Sequence, residues 1–312
     1  MSPIPNGSSG DLNADRRLMF ADALLAEGDP AAAAALMSET LPDFPDWVAG
    51  WMRLGEMAEA AGDVPQAIAA YETALRLDPA DLHGAGLRRD LLRPVPVAEQ
   101  MPPAFVEALF DQYAPGFDRS LVDGLAYSGP EQLAACLPGP YVRALDLGCG
   151  TGLMGAAIRD RCTWLEGWDI STGMLEQARA KAIYDRLDKQ DIGALTPVQP
   201  QFDLIVAADV FIYIGALERI MGWVAAALAP GGTFAFTVEA TEDPGFVLRP
   251  SRRYAHGQAY LSDLLATAGF VGMTLDRRVL RKDRGEDVEA LIVTAKAPAL
   301  RRDTTGEEAE FA

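Results

Sequence analysis

From Val142 onward, short apolar runs alternate with stretches of helical periodicity. The runs predict strands near 142–147, 162–168, 183–187, 202–208, 232–239, 270–280 and 288–295, and the periodic stretches predict helices near 153–160, 173–182, 215–228 and 257–268. Such alternation calls for a parallel sheet covered on both faces. The last two runs are joined across Arg281–Asp287 without a helix, so the final strand is expected to run antiparallel. The first hundred residues read as all-helical. Gly55, Ala58, Ala67 and Ala74 are small enough to let two antiparallel helices approach closely, Gly62-Asp63 turns the chain, and Pro79 stops the second helix. Gly28-Asp29 and Pro45 repeat these signals 34 residues earlier. Leu82–Leu92 supplies a capping helix and Arg93-Pro-Val-Pro96 a linker. Residues 1–13 and 298–312 are expected to be disordered and flexible.

The stretch Ala144-Leu-Asp-Leu-Gly-Cys-Gly-Thr-Gly152 is where a strand ends in a glycine-rich turn and a helix begins, the place where an α/β sheet binds a nucleoside. Gly148, Gly150 and Gly152 permit positive φ and let a ligand lie against bare backbone. Asp146 can brace the loop by accepting its amides. No Lys-Ser or Lys-Thr follows, which argues against a triphosphate cradle. Gly150-x-Gly152-x-x-Gly155 formally fits a dinucleotide fingerprint, with Asp169 placed for a ribose, but that pattern alone is short.

The fuller string Asp-Leu-Gly-Cys-Gly-Thr-Gly resembles the first motif of class I S-adenosylmethionine-dependent methyltransferases. Further phrases follow in order: Trp168-Asp169-Ile-Ser, Gln190-Asp191-Ile192, Phe202-Asp-Leu-Ile-Val-Ala-Ala-Asp209 and Leu228-Ala-Pro-Gly-Gly232. Phe110-Asp-Gln-Tyr-Ala-Pro-Gly-Phe-Asp118 resembles the helical cover that precedes that domain, and Trp51–Pro79 resembles a tetratricopeptide unit. The whole is similar to bacterial predicted methyltransferases containing such repeats. The resemblance implies an α/β fold, a seven-stranded doubly wound Rossmann-like domain over 101–297, behind an all-α repeat domain over 14–93. It implies S-adenosyl-L-methionine as cofactor, held by Asp146, Gly148, Cys149, Gly150, Gly152, Asp169, Ile170, Met174, Asp191, Ala208, Asp209 and Tyr113. Asp169 would grip the ribose, Ile170 and Met174 would face the adenine, and Asp191 would meet its amino group.

Composition narrows the field. With 45 acidic and 27 basic residues the chain carries a net charge of −18, a poor match for nucleic acid. Residues 1–100 hold 16 acids and 7 bases, so the repeats are the more acidic part. No apolar run approaches the ~20 residues of a membrane span, and no secretory leader pattern opens the chain, so a cytoplasmic protein is expected. Three scattered cysteines and two distant histidines make neither a disulfide framework nor a metal site.

For an O or N acceptor on a small molecule or protein, the family chemistry is in-line attack on a sulfonium methyl, assisted by positioning and in some cases a general base. Candidates at strand ends are His256, Asp209 and Tyr213, with Glu239 behind them. Arg249, Arg252 and Arg253 suggest an anionic group on the acceptor. The repeats offer a surface for a protein partner. The alternative in another class is an interaction module on a catalytically inactive fold, which the intact glycines, Asp146 and Asp169 oppose.

Overall fold

The computed structural model describes residues 7–92, 100–196, 199, 201–283 and 285–298. The linker at 93–96, residues 1–6 and residues 299–312 lie outside these residues. Within them, the expectation of disorder through residue 13 does not hold. Asp11 caps α1 (Leu12–Ala26) by accepting from the Asn13 and Ala14 amides, and Ser9 donates to Asp15. A short polar stretch beside a helix start is ordered by capping rather than freed by its composition.

Two helical hairpins follow, α1 with α2 (Pro30–Thr40) and α3 (Val48–Ala61) with α4 (Val64–Leu77). Asp29 and Asp63 cap the second helix of each pair, accepting from Ala32 N at 3.0 Å and Gln66 N at 3.1 Å. Each aspartate is followed closely by proline in the first turn, where the missing N–H costs nothing. Ala58, Ala67 and Ala74 bury around Tyr71, and Gly55 leaves room for its ring, so the small residues do form the close helix seam. A polar chain crosses the repeats: Arg53 pairs with Asp22 and Glu56, Arg88 with Glu56 and Glu59, and Tyr71 Oη donates to Glu59 at 2.7 Å. Helix α5 (Ala85–Leu92) closes the stack. Its Leu87 packs with Met101, Leu248 and Tyr254, so the repeats share a small core with the second half of the chain.

Cover helices α6 (Pro103–Tyr113), α7 (Phe117–Leu125) and α8 (Gly129–Ala135) lead into the sheet. Its elements are β1 (Tyr141–Leu147), α9 (Leu153–Ile158), β2 (Cys162–Asp169), α10 (Thr172–Lys181), β3 (Arg186–Lys189), β4 (Phe202–Ala207), α11 (Glu218–Ala227), β5 (Leu228–Thr241), β6 (Phe246–Leu248), β7 (Tyr254–Gly257), α12 (Gln258–Thr267), β8 (Val271–Asp283) and β9 (Glu286–Lys296). Strands β3, β2, β1, β4 and β5 are parallel neighbours in that order, β9 pairs antiparallel with β5, and β8 forms the edge. All seven anticipated strands and the antiparallel ending are present. The hairpin β6–β7 was not anticipated: its runs are only three and four residues long and carry no clear alternation. Glu239 pairs with Ala290 on one side and Ala255 on the other, so β7 continues the β4 edge of β5 beyond the end of β4. That places the hairpin above the carboxyl ends of the central strands.

Side-chain alternation sorts the sheet into two cores. Leu145, Leu147, Ile205, Ala207, Phe234 and Phe236 face α11 and α12, whereas Ala144, Leu204, Val206, Ala235 and Ile292 face the α8 and α9 side. Both faces are buried, as a doubly covered parallel sheet requires. Among the described residues, no helix is long and apolar enough to cross a membrane.

Candidate active site

A cavity of about 390 Å³ opens at the carboxyl ends of β1, β2 and β4, roofed by α6 and α7. The loop after β1 forms its floor. Gly150 takes φ +53°, and a Cβ built there meets nothing within 4 Å, so bare backbone faces open space. The Gly150 amide donates to Asp169 Oδ2 at 2.8 Å, and Ser171 N donates to Oδ1 at 2.8 Å. The Asp169 carboxylate is thereby fixed at the cavity wall, with further lone pairs on each oxygen. Burial raises its pKa, against the pull of these amides. Ile170, Met174 and Ile192 add apolar wall beside it, and Asp191 braces its own turn by accepting from Gly193 N at 2.8 Å.

The roof is latched to this floor. Asp111 on α6 accepts from Ser171 Oγ at 2.6 Å and Gly173 N at 2.9 Å at the start of α10. The same Ser171 hydroxyl accepts from Met174 N, capping that helix. Asp118 on α7 takes Thr151 Oγ1 and Lys181 Nζ, the latter at 2.6 Å. Phe110 packs edge-on against Tyr213 at 5.2 Å and against Phe117 at 6.0 Å.

The anticipated residues Gly148, Cys149, Gly150, Asp169, Ile170, Met174, Asp191, Ala208, Asp209, Tyr113 and Tyr213 all line this cavity. Asp146 and Gly152 do not. Asp146 shares the sheet face of Ala144 and points under the loop toward α9, where Oδ2 accepts from Tyr184 Oη at 2.7 Å. Burial drives its pKa up to about 7. Rather than accepting loop amides, it holds a phenol. Gly152 caps α9 at φ +92°; its amide donates to Cys149 O at 2.8 Å, so it shapes the loop.

His256 is also corrected. It lies on β7, wholly buried, and its Nε2 donates to Gly215 O at 2.9 Å. Desolvation pushes its pKa down to about 4. A neutral, enclosed imidazole outside the cavity has no access to an acceptor proton. Asp209 does reach the cavity, at φ +60° with its amide on Thr237 Oγ1, but its carboxylate is paired with Arg281. Burial raises the Tyr213 phenol, against the neighbouring Arg253, so at neutral pH it is a donor and not a base. Arg281 itself was not anticipated. It stands in a charged run of β8, and only the antiparallel pairing swings it beneath Asp209 and Glu239. Thr151, Gln190 and Gly193 were likewise missed, being ordinary loop residues in sequence.

Residues 144–232 match the family model of a methyltransferase domain, and residues 18–81 match that of a tetratricopeptide repeat. The chain thus carries, in order, a segment similar to tetratricopeptide repeats and a segment similar to methyltransferase domains. Methyltransferase-like protein 27 of Homo sapiens is 36% identical over 116 residues, 35% of this chain and 45% of that protein. Malonyl-[acyl-carrier protein] O-methyltransferase of Enterobacter lignolyticus is 31% identical over 146 residues, 46% of this chain and 57% of that protein. The chain spans about half the length of these curated relatives. Among solved structures, an S-adenosylmethionine-dependent methyltransferase from Mesorhizobium loti covers 53% of this chain and 95% of its own, at 24% identity and a TM-score of 0.43. The sheet of the second half of the chain is Rossmann-like, with a two-stranded addition after β5.

Proposed function

We propose that the protein is an S-adenosyl-L-methionine-dependent methyltransferase acting on an O or N atom of a small molecule or protein, with an anionic group on the acceptor. The observation that carries this reading is the convergence, in one cavity, of bare loop backbone at Gly150, the fixed carboxylate of Asp169 and the apolar wall of Ile170 and Met174. These groups fit the cofactor: Asp169 has lone pairs for two ribose hydroxyls, the apolar wall suits an adenine face, and the glycines let a nucleoside approach the main chain. When bound, the cofactor supplies an electrophilic methyl on a sulfonium centre.

The residues of the chain position and desolvate. The latches at Asp111 and Asp118 hold the roof over the cavity and so fix donor and acceptor in line; the C–S bond breaks as the bond to the acceptor atom forms, and the positive charge passes to that atom, which then releases a proton. Cys149, Asp191, Ala208, Asp209 and Tyr113 complete the cofactor wall in this reading. With His256 enclosed and Asp209 paired, transfer relies on orientation and on an acceptor that is already nucleophilic. Residues 14–93 serve as a separate repeat domain for a protein partner and 101–297 as the catalytic one. A cytoplasmic setting accords with three unpaired cysteines.

Calorimetry with S-adenosylhomocysteine tests the cofactor assignment, and incubation of a cell extract with labelled S-adenosylmethionine tests transfer. Saturable binding and a labelled product are expected. Binding of a nicotinamide dinucleotide in place of S-adenosylhomocysteine would overturn the reading.

A further inference from the structure

The cavity is electrically lopsided. Asp169 and Asp191 line the end near β2 and β3, whereas Arg252, Arg253 and Arg281 line the opposite end, with Asp209 as the carboxylate among them. Arg281 has a side chain only 3% exposed. Its two terminal nitrogens serve Asp209 and Glu239, leaving Nε buried without a partner among the described residues. Arg253 is committed to Asp283 at 3.0 Å and lies 4.0 Å from Glu239. Arg249, the remaining arginine of the basic run, is turned to Glu239 and Ala240 O and does not line the cavity. Arg252 makes no ion pair with a described carboxylate, and burial together with the charge of Arg88 on the repeat cap lowers its pKa. A buried donor left unmade costs about 1–3 kcal/mol, so an Nε at the cavity wall gains from any acceptor that enters it. Between the two charged ends, Val106, Leu109, Phe110, Phe117 and Leu121 form an apolar roof.

We infer that the acceptor is a small organic carboxylate, its head between Arg252 and the free Nε of Arg281, and its apolar body against α6 and α7. Two groups with different tastes then share one cavity: a cationic nucleoside at the aspartate end and an anion at the arginine end. The identification as acceptor rests on the methyltransferase reading, whereas the anion subsite stands on its own geometry. Arginine suits this role because its planar fork matches a carboxylate and keeps its charge at any physiological pH. The enclosed roof favours a free acid over a carboxylate carried on a folded protein.

The test is calorimetric titration of the full chain with a matched pair, 4-phenylbutyrate and 4-phenylbutyramide, with and without S-adenosylhomocysteine. The acid should bind at least about tenfold more tightly than the amide. Arg252→Met should bring the two to parity and Arg252→Lys should restore part of the preference, with S-adenosylhomocysteine affinity unchanged in both variants. Equal affinities, no binding of either compound, or a preference that survives Arg252→Met overturns the subsite. An N-acetylated glutamyl peptide amide binding as well as the acid overturns the small-molecule assignment. If S-adenosylhomocysteine fails to bind, the methyltransferase reading falls, while the acid–amide comparison still decides the subsite.

Discussion

Replacing Gly155 by alanine sets two effects of opposite sign against each other. Gly155 lies inside α9, where alanine normally gains about 1 kcal/mol over glycine. A Cβ at this position, however, would sit 2.2 Å from Tyr184 Oη and 2.4 Å from its Cζ. The ring must move, and it is the ring that donates to Asp146 at 2.7 Å. Asp146 is 1% exposed, and its Oδ1 already lacks a partner among the described residues. Overpacking costs about 1–3 kcal/mol, and stranding the Asp146 oxygen costs about 1–3 kcal/mol more. After the helix gain, a net loss of about 1–5 kcal/mol remains. Urea unfolding reads this as a lower midpoint at unchanged slope. Adding Tyr184→Phe removes the nearest atom of the clash, so the double variant should be destabilised by less than the sum of the two single ones. A Gly155→Ala protein as stable as its parent would refute the claim that this glycine exists to admit the phenol.

Other outcomes can be checked alongside. Asp169→Asn puts an amide donor opposite either the Gly150 or the Ser171 amide, and S-adenosylhomocysteine affinity should fall about 10–100-fold; calorimetry showing less than about a twofold change counts against the ribose assignment. Burial holds Asp146 near 7, above its ordinary 3.8, so its contribution to stability is present at low pH and lost as pH rises from about 4 to about 7. His256, pushed down from 6.5 to about 4, works in the opposite sense over pH 4–6.5. Asp146→Asn should therefore gain on the parent by a few kcal/mol between pH 4 and 7, then hold level; a difference independent of pH contradicts this. Arg281→Met leaves Asp209 without its cation and Glu239 with only the longer contacts to Arg249 and Arg253, and should cost about 3–5 kcal/mol in chemical denaturation. His256→Ala should lower the melting temperature through its lost contact with Gly215 while leaving S-adenosylhomocysteine affinity intact, the reverse of what a cavity residue would do.

Much of the fold is legible because each strand buries two faces and so reads as an apolar run, while each helix reads by its period. The loop after β1 is legible because only glycine-rich backbone makes that turn. Asp169 follows from its place at a strand end. The misassigned residues share a cause. Asp146 and His256 occur at strand ends as well, yet the two-residue alternation decides which way a side chain points, and one-dimensional proximity to a loop does not. Arg281 is invisible for the converse reason: its partners come from 42 and 72 residues away, joined only by antiparallel pairing. Short strands such as β6 carry too few positions to show a period at all.

The seam between α5 and the β6–β7 hairpin has a mechanical meaning. Leu248 and Tyr254 hold the two ends of the turn that carries Arg252 and Arg253, and both are clamped by Leu87 and Met101. Cutting away the first 92 residues would uncover that clamp and slacken the arginine turn, so a truncated enzyme should lose grip on its anion before it loses its nucleoside. The repeats thus brace the arginine turn from behind, through Leu87, without lining the cavity themselves.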